Sequence, residues 1–166
     1  MKLRHATIED VDVLEYWDRQ PHVIAAGGAW DEFDWATELD RQVPWRDFLI
    51  AELGDRPIGV LQIIDPTAEE DHYWGDIAPG HRAIDIWIGE ADCLGQGHGT
   101  AMMQAVVKRC FDDPSVHSIV IDPLATNARA IRFYERLGFV KIERRFFGED
   151  DCVVLRLARS EWSEAG

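Results

Sequence analysis

Two groups of residues in this chain have the types and spacing to do chemistry together. The stretch Leu94-Gly95-Gln96-Gly97-His98-Gly99-Thr100 alternates glycine with other residues. It stands where an apolar run, Ile84-Asp85-Ile86-Trp87-Ile88, gives way to an amphipathic segment reaching about Phe111. Glycine lets a backbone bend sharply and come close to a ligand. The first amides of a helix have no intrahelical partner and attract phosphate oxygens. Gly95, Gln96, Gly97, His98, Gly99 and Thr100 are therefore candidates for holding the pyrophosphate of a nucleotide-like cofactor; the plain alternative is a glycine-rich turn entering a helix. Neither familiar phosphate loop fits, because there is no lysine before Thr100 and the glycines run G-x-G-x-G rather than G-x-G-x-x-G. Asp85 forms the second group with Trp87. The period of two puts their side chains on one face of a strand, opposite Ile84, Ile86 and Ile88. An acid on a strand that leads into such a loop is placed to take a proton, unless it merely pairs with Arg82 or another base.

A third stretch, Asp65 to Gly80, has no clear period and carries Asp65, Glu69, Glu70, Asp71 and Asp76 with Tyr73 and Trp74, and no lysine or arginine. Carboxylates beside aromatic rings suit a polyamine or an aminosugar, through charge-assisted hydrogen bonds and ring contacts. Read alone, the commoner meaning of such a run is a solvated acidic loop with one aromatic anchored in the core.

These groups need a scaffold, and the chain is long enough for one. Its 166 residues, 46% of them hydrophobic, predict a single domain over 1–166 with one substantial core. Thirty-one acids against 17 bases leave a net charge of −14, which repels nucleic acid. That balance suits a cationic substrate or simply solubility. No apolar run approaches a membrane span, and Met1-Lys2-Leu3-Arg4-His5 lacks a secretion signal, so a cytoplasmic enzyme is expected. The three cysteines, Cys93, Cys110 and Cys152, are scattered and the six histidines show no metal spacing, so no metal and no disulfide is expected.

In chain order, Leu3 to Ala6 reads as a strand, and Thr7-Ile8-Glu9-Asp10 resembles a capping box. Ile8, Val11, Leu14 and Trp17 share a helix face, with Pro21 closing the segment. Gly27-Gly28 opens a loop, Asp31 begins a second helix, and Pro44 stops it. Phe48–Leu53 and Ile58–Ile64 form a hairpin around Gly54-Asp55-Arg56-Pro57. Met103, Val106, Val107, Cys110 and Phe111 mark the buried face of the helix after the glycine loop. The strand Val116–Asp122 follows it and could pair in parallel with the Ile84 strand. Asn127 suits the N-cap of the next helix and Gly138 its stop, with Ala130, Ile131, Tyr134 and Leu137 on one face. Phe139–Phe147 and Val153–Leu157 close the chain around Gly148-Glu149-Asp150-Asp151.

The segment Asn127-x-x-Ala130-x-x-x-Tyr134-x-x-x-Gly138-Phe139 matches the second signature of the GCN5-related N-acetyltransferases (GNAT superfamily). It follows a loop that resembles their acyl-CoA pattern, Arg/Gln-x-x-Gly-x-Gly/Ala, with Gly97 and Gly99 in place and Leu94 departing at the Arg/Gln position. Within the family the chain most resembles the aminoglycoside 6′-N-acetyltransferases, through Tyr73-Trp74, Pro79 to Asp85, and Ile121-Asp122-Pro123.

The resemblance implies an α+β fold of three-layer type, with a mixed, mostly antiparallel sheet and a parallel strand pair around the acetyl-CoA site. It implies acetyl transfer from acetyl-CoA to a primary amine of a cationic small molecule, above all the 6′-amine of an aminoglycoside. That amine arrives protonated and needs a base, for which Asp85 is the first candidate and Asp122, otherwise a ligand for a substrate ammonium, the second. Tyr134 would protonate or hydrogen-bond the leaving sulfur. The backbone near Trp87 and Ile88 would meet the thioester, and Asn127 and Ala130 the pantetheine arm. Asp71, Trp74, Asp85, Asp122, Glu149 and Asp151 would bind the amine substrate. A protein or peptide N-acetyltransferase, or a non-catalytic aminoglycoside binder, are the competing readings. The expected partners are acetyl-CoA and the amine alone, with the protein a monomer or homodimer.

Overall fold

The computed structural model describes residues 1–27 and 34–163. Seven strands form one sheet: β1 (Lys2–His5), β2 (Arg46–Leu53), β3 (Arg56–Ile64), β4 (His81–Ile88), β5 (Ser118–Ile121), β6 (Val140–Phe147) and β7 (Asp150–Ala158). Their order is β1-β2-β3-β4-β5-β7-β6, and β4 with β5 is the one parallel pair among the described residues. The helices are α1 (Val11–Asp18), α2 (Pro21–Gly27), α3 (Trp35–Asp40), α4 (His98–Phe111) and α5 (Ala128–Arg136).

Alternation along the strands divides the apolar residues between the two sheet faces. On one face Leu49, Leu61 and Ile84 meet Met102, Met103, Val106, Val107 and Phe111 of α4 and Tyr134 of α5. On the other, Phe48, Ile50 and Val60 meet Leu14, Trp17 and Trp35 of α1 and α3. Further along that second face, Trp74 of the acidic loop packs with Ala83, Val120, Phe147, Cys152 and Val154. Helix, sheet and helix thus make the expected three layers. All three cysteines are free and buried. No helix among the described residues is long and apolar enough to cross a membrane.

The parallel ladder is short. It joins only His81, Arg82 and Ala83 to Ser118, Ile119 and Val120. Beyond Ala83 β4 continues to Ile88 beside β3, while β5 ends at Ile121 and runs on to meet α5. The two strands therefore part in the middle of the sheet. The register says which groups face the opening. Gly89 N donates to Ile58 O at 2.9 Å on the β3 side, whereas Gly80 O accepts from His117 N on the β5 side. Peptide direction alternates along a strand, so Ile86 and Ile88 turn their N–H groups toward the opening and Asp85 and Trp87 turn theirs to β3.

Two local expectations change. Pro21 opens α2 rather than closing a segment, because a proline has no N–H to lose and a suitable φ at the first position of a helix. The helix before Pro44 already ends at Asp40, so Val43 lies outside it. The expected loop at Gly28 and helix start at Asp31 lie outside the described residues. The Thr7 capping box is present, with Thr7 N donating to Asp10 Oδ2 at 2.8 Å, and Arg4 adds two further bonds to the same carboxylate.

Trp17 of α1 makes a close contact at the end of β4. Trp17 is fully buried against Gly89, where a Cβ would stand 2.0 Å from its ring, and its indole N–H donates to Glu90 at 2.8 Å. Gly89→Ala is expected to destabilise the protein by about 2 kcal/mol or more, read as a lowered urea midpoint, since the ring has no space to retreat. An unchanged midpoint would mean that Trp17 can move aside.

Candidate active site

The covered clusters on the second sheet face leave its middle bare, and a cavity of about 770 Å³ opens there. That is the size of a small-molecule site. Asp85 lies on its floor, in the cross-strand position opposite Gln62 of β3. Gln62 is buried, and its Nε2 donates to Asp85 Oδ2 at 2.6 Å. Arg82, the alternative partner, is on the opposite face and meets Asp65 and Asp113 instead. Burial raises the Asp85 pKa above the ordinary carboxylate value, and the Gln62 hydrogen bond opposes the rise without cancelling it.

Tyr134 reaches the same cavity from the other side of the sheet, through the opening between β4 and β5. It is 9% exposed, and among the described residues nothing hydrogen-bonds its hydroxyl. Burial first, then the charges of Asp85 and Asp122, push its pKa above the usual phenol range, so the hydroxyl keeps its proton at neutral pH. Asn127 caps α5, accepting the Ala130 N–H at 3.1 Å, and both residues border the cavity at this opening.

The glycine loop stands at the end of β4, outside the cavity. Gly97 is the N-cap of α4 with φ +84°, and Gly95 has φ +72°. Both are left-handed conformations that a side chain would strain. Nothing lies within 4 Å of a Cβ built at either position, so the space above the loop is open. Gly97 has no side chain with which to cap, which leaves the first amides of a 14-residue helix for an incoming acceptor. Gln96 turns back to the Asp92 carbonyl, and Gly99 faces Phe133 of α5.

The acidic loop forms one wall. The Glu69 carboxylate accepts the backbone N–H groups of Asp71, at 3.0 Å, and Tyr73, at 2.8 Å, and so shapes the loop. Tyr73 stacks on Phe147 with ring centres 4.5 Å apart, and its hydroxyl donates to Asp122 at 2.5 Å. His72, between these contacts, has φ +49°. Asp71, Trp74, Trp87 and Asp122 border the cavity with Asp85. Trp74 does so from within the core, at 4% exposure, edge-on to Tyr73 and Phe147.

Two expected substrate contacts are not in this wall. Glu149 is exposed in the β6–β7 turn, and Asp151 points to the far face of β7, where it pairs with Arg144. Strand alternation instead brings Asp150, with Cys152, to the cavity. Of the two backbone positions expected to meet a thioester, only the Ile88 N–H faces the opening, since β3 takes that of Trp87. Sequence reasoning missed Gln62 and the α2 residues Val23, Ala26 and Gly27, which line the same cavity; Glu69 and Tyr73, also in its lining, were singled out only as members of the acidic stretch. The signal for Gln62 was present, as the one polar residue inside Ile58–Ile64. For α2 there was none, because its helix was not expected.

Residues 7–146 match the family model described as an acetyltransferase (GNAT) domain. The chain is 32% identical over 149 residues, 82% of its own length and 72% of the relative's, to an aminoglycoside N(6′)-acetyltransferase type 1 of Klebsiella pneumoniae. The fold superposes on the crystal structure of the aminoglycoside acetyltransferase AAC(6′)-Ib in complex with coenzyme A with a TM-score of 0.84 at 30% identity, covering 96% of this chain and 95% of the other. A structure of the same enzyme with ribostamycin and coenzyme A gives 0.86 at 29% identity, covering 96% and 94%.

An acid whose pKa is raised on folding holds its proton more tightly in the native state, so its ionisation costs stability as pH rises past the ordinary carboxylate range. Asp85→Asn keeps an oxygen for Gln62 and removes that cost. Its urea midpoint is expected to exceed that of the parent at about pH 7.5, with the advantage vanishing below about pH 4. Equal midpoints at both pH values would show that the Asp85 carboxylate carries no burial cost.

Proposed function

From the premise that this chain belongs to the acetyltransferase (GNAT) domain family, we propose that it transfers the acetyl group of acetyl-CoA to the 6′-amine of an aminoglycoside. The observation that carries the reading is the parted β4–β5 pair: it brings an acid with a raised pKa and a protonated tyrosine into one cavity, beside an open row of helix amides. The acceptor reading rests on the aminoglycoside relatives and on a cavity wall rich in carboxylates, Asp71, Asp85, Asp122 and Asp150.

Acetyl-CoA supplies the activated acyl group. The amides of His98, Gly99 and Thr100 hold its pyrophosphate, and the Ile88 N–H, together with Asn127 and Ala130, holds the acyl arm in the opening. The carboxylates of the wall gather the ammonium groups of the acceptor. At neutral pH the reacting amine arrives protonated, so Asp85 first takes that proton, directly or through a water. The freed nitrogen bonds to the carbonyl carbon, the carbon–sulfur bond breaks, and Tyr134 gives its proton to the departing sulfur; the second proton that the nitrogen sheds on becoming an amide restores the Tyr134 hydroxyl, and Asp85 returns its own to solvent. Gln62 keeps the Asp85 carboxyl oriented, and burial keeps its pKa high enough for it to serve as a base.

Three measurements test this. Free CoA thiol is expected to accumulate from acetyl-CoA with kanamycin or ribostamycin as acceptor; no release with any aminoglycoside would overturn the reading. Tyr134→Phe is expected to lower kcat about 100-fold or more while leaving CoA affinity within about twofold, as for a group used only in the chemical step. The parent rate is expected to fall as pH drops through the raised pKa of Asp85, and Asp85→Asn to lose that acid limb; an unchanged profile would remove Asp85 as base.

A further inference from the structure

Resting on the acetyl-CoA reading above, we infer that the exposed arginines of α5, Arg129, Arg132 and Arg136, form a subsite for the 3′-phosphate at the nucleotide end of the cosubstrate. They stand at i, i+3 and i+7, so they make one stripe along the helix. All three are exposed, and none has a carboxylate partner among the described residues. Arg4, Arg56, Arg82 and Arg144 are each held by acids, and on α5 itself Glu135 is taken by Lys141 of β6 at 3.0 Å.

The stripe borders the phosphate loop. Phe133, next to Arg132 and one turn beyond Arg129, is the residue that a Cβ at Gly99 would touch, at 3.6 Å. The arginines flanking it therefore lie along the edge of α5 that meets the first turn of α4. Glu90 and Asp92, the acids that precede the loop, are neutralised by Arg56 at 2.9 and 2.8 Å and do not oppose an anion there.

Helix stability does not account for the stripe. Arg136 in the last turn complements the helix dipole, but Arg129 is the second residue of α5, where a positive charge is unfavourable. A dianionic phosphate monoester explains both positions. The bare amides of α4 suit the pyrophosphate, and guanidinium groups grip a terminal phosphate in paired hydrogen bonds.

Calorimetry of CoA and of 3′-dephospho-CoA, with no acceptor present, separates this inference from the reading beneath it. The parent protein is expected to bind CoA at least about tenfold more tightly, the worth of one charge-assisted contact. Raising the salt concentration is expected to narrow the ratio. The R129Q/R132Q/R136Q variant, with unchanged thermal midpoint, is expected to bind the two ligands within about twofold of each other. R156Q, at an exposed arginine on β7, is expected to keep the parent ratio. Equal binding of both ligands by the parent, or a ratio that survives in the triple variant, overturns the arginine subsite alone. A parent that binds neither ligand overturns the acetyl-CoA reading with it.

Discussion

The separation of β4 from β5 after Ala83 and Val120 is the constraint on which the rest of the molecule depends. Parting two neighbouring strands removes ladder hydrogen bonds, and backbone groups left bare in an interior are costly. The protein meets the cost in pieces. Gly80 O is paired with His117 N below the opening, and His22 of α2 takes the Ile88 carbonyl at 2.8 Å above it. What remains is a passage through the sheet, lined on one side by the edge of β4 and on the other by the start of α5. Through it a side chain of the α4–α5 layer, Tyr134, meets one from the opposite face, Asp85. An unbroken sheet would keep these two residues in separate layers.

The same opening divides the electrostatics. One side of the sheet presents carboxylates to the cavity, with the Asp85 pKa raised by burial and Asp122 engaged by Tyr73. The other side presents helix amides and the arginine stripe of α5. A strongly acidic protein thus presents negative and positive groups to one opening from opposite sides of the sheet. The acidic wall is itself ordered by an acid, since the Glu69 carboxylate is occupied by two backbone amides.

Much of this was legible in the sequence wherever a pattern was local. The face of α4, the Asn127 cap, the glycine loop and the alternation that paired Asp85 with Trp87 all follow from spacing that short-range geometry dictates. The three-layer sheet with its parallel pair followed as well, through a signature of five residues in α5 and beyond. What was not legible depended on register and on distant contact. The choice between Asp150 and Asp151 turns on where β7 begins its alternation, and the Gln62–Asp85 bond depends on the pairing of β3 with β4. Pro21 misled because a proline both ends helices and begins them, and only the packing of Val23 against the core decides which.

The strand order has an implication for how the protein comes into being. β7 is the last strand in sequence, yet it lies between β5 and β6 and hydrogen-bonds to both. Until the ribosome has released residues to about Ala158, the β5 edge is bare and β6 has no neighbour. The Asp150 wall is missing too. A nascent chain therefore carries an unprotected sheet edge until its final segment slots in. Premature termination inside β7 leaves both that edge and the Asp150 wall unmade.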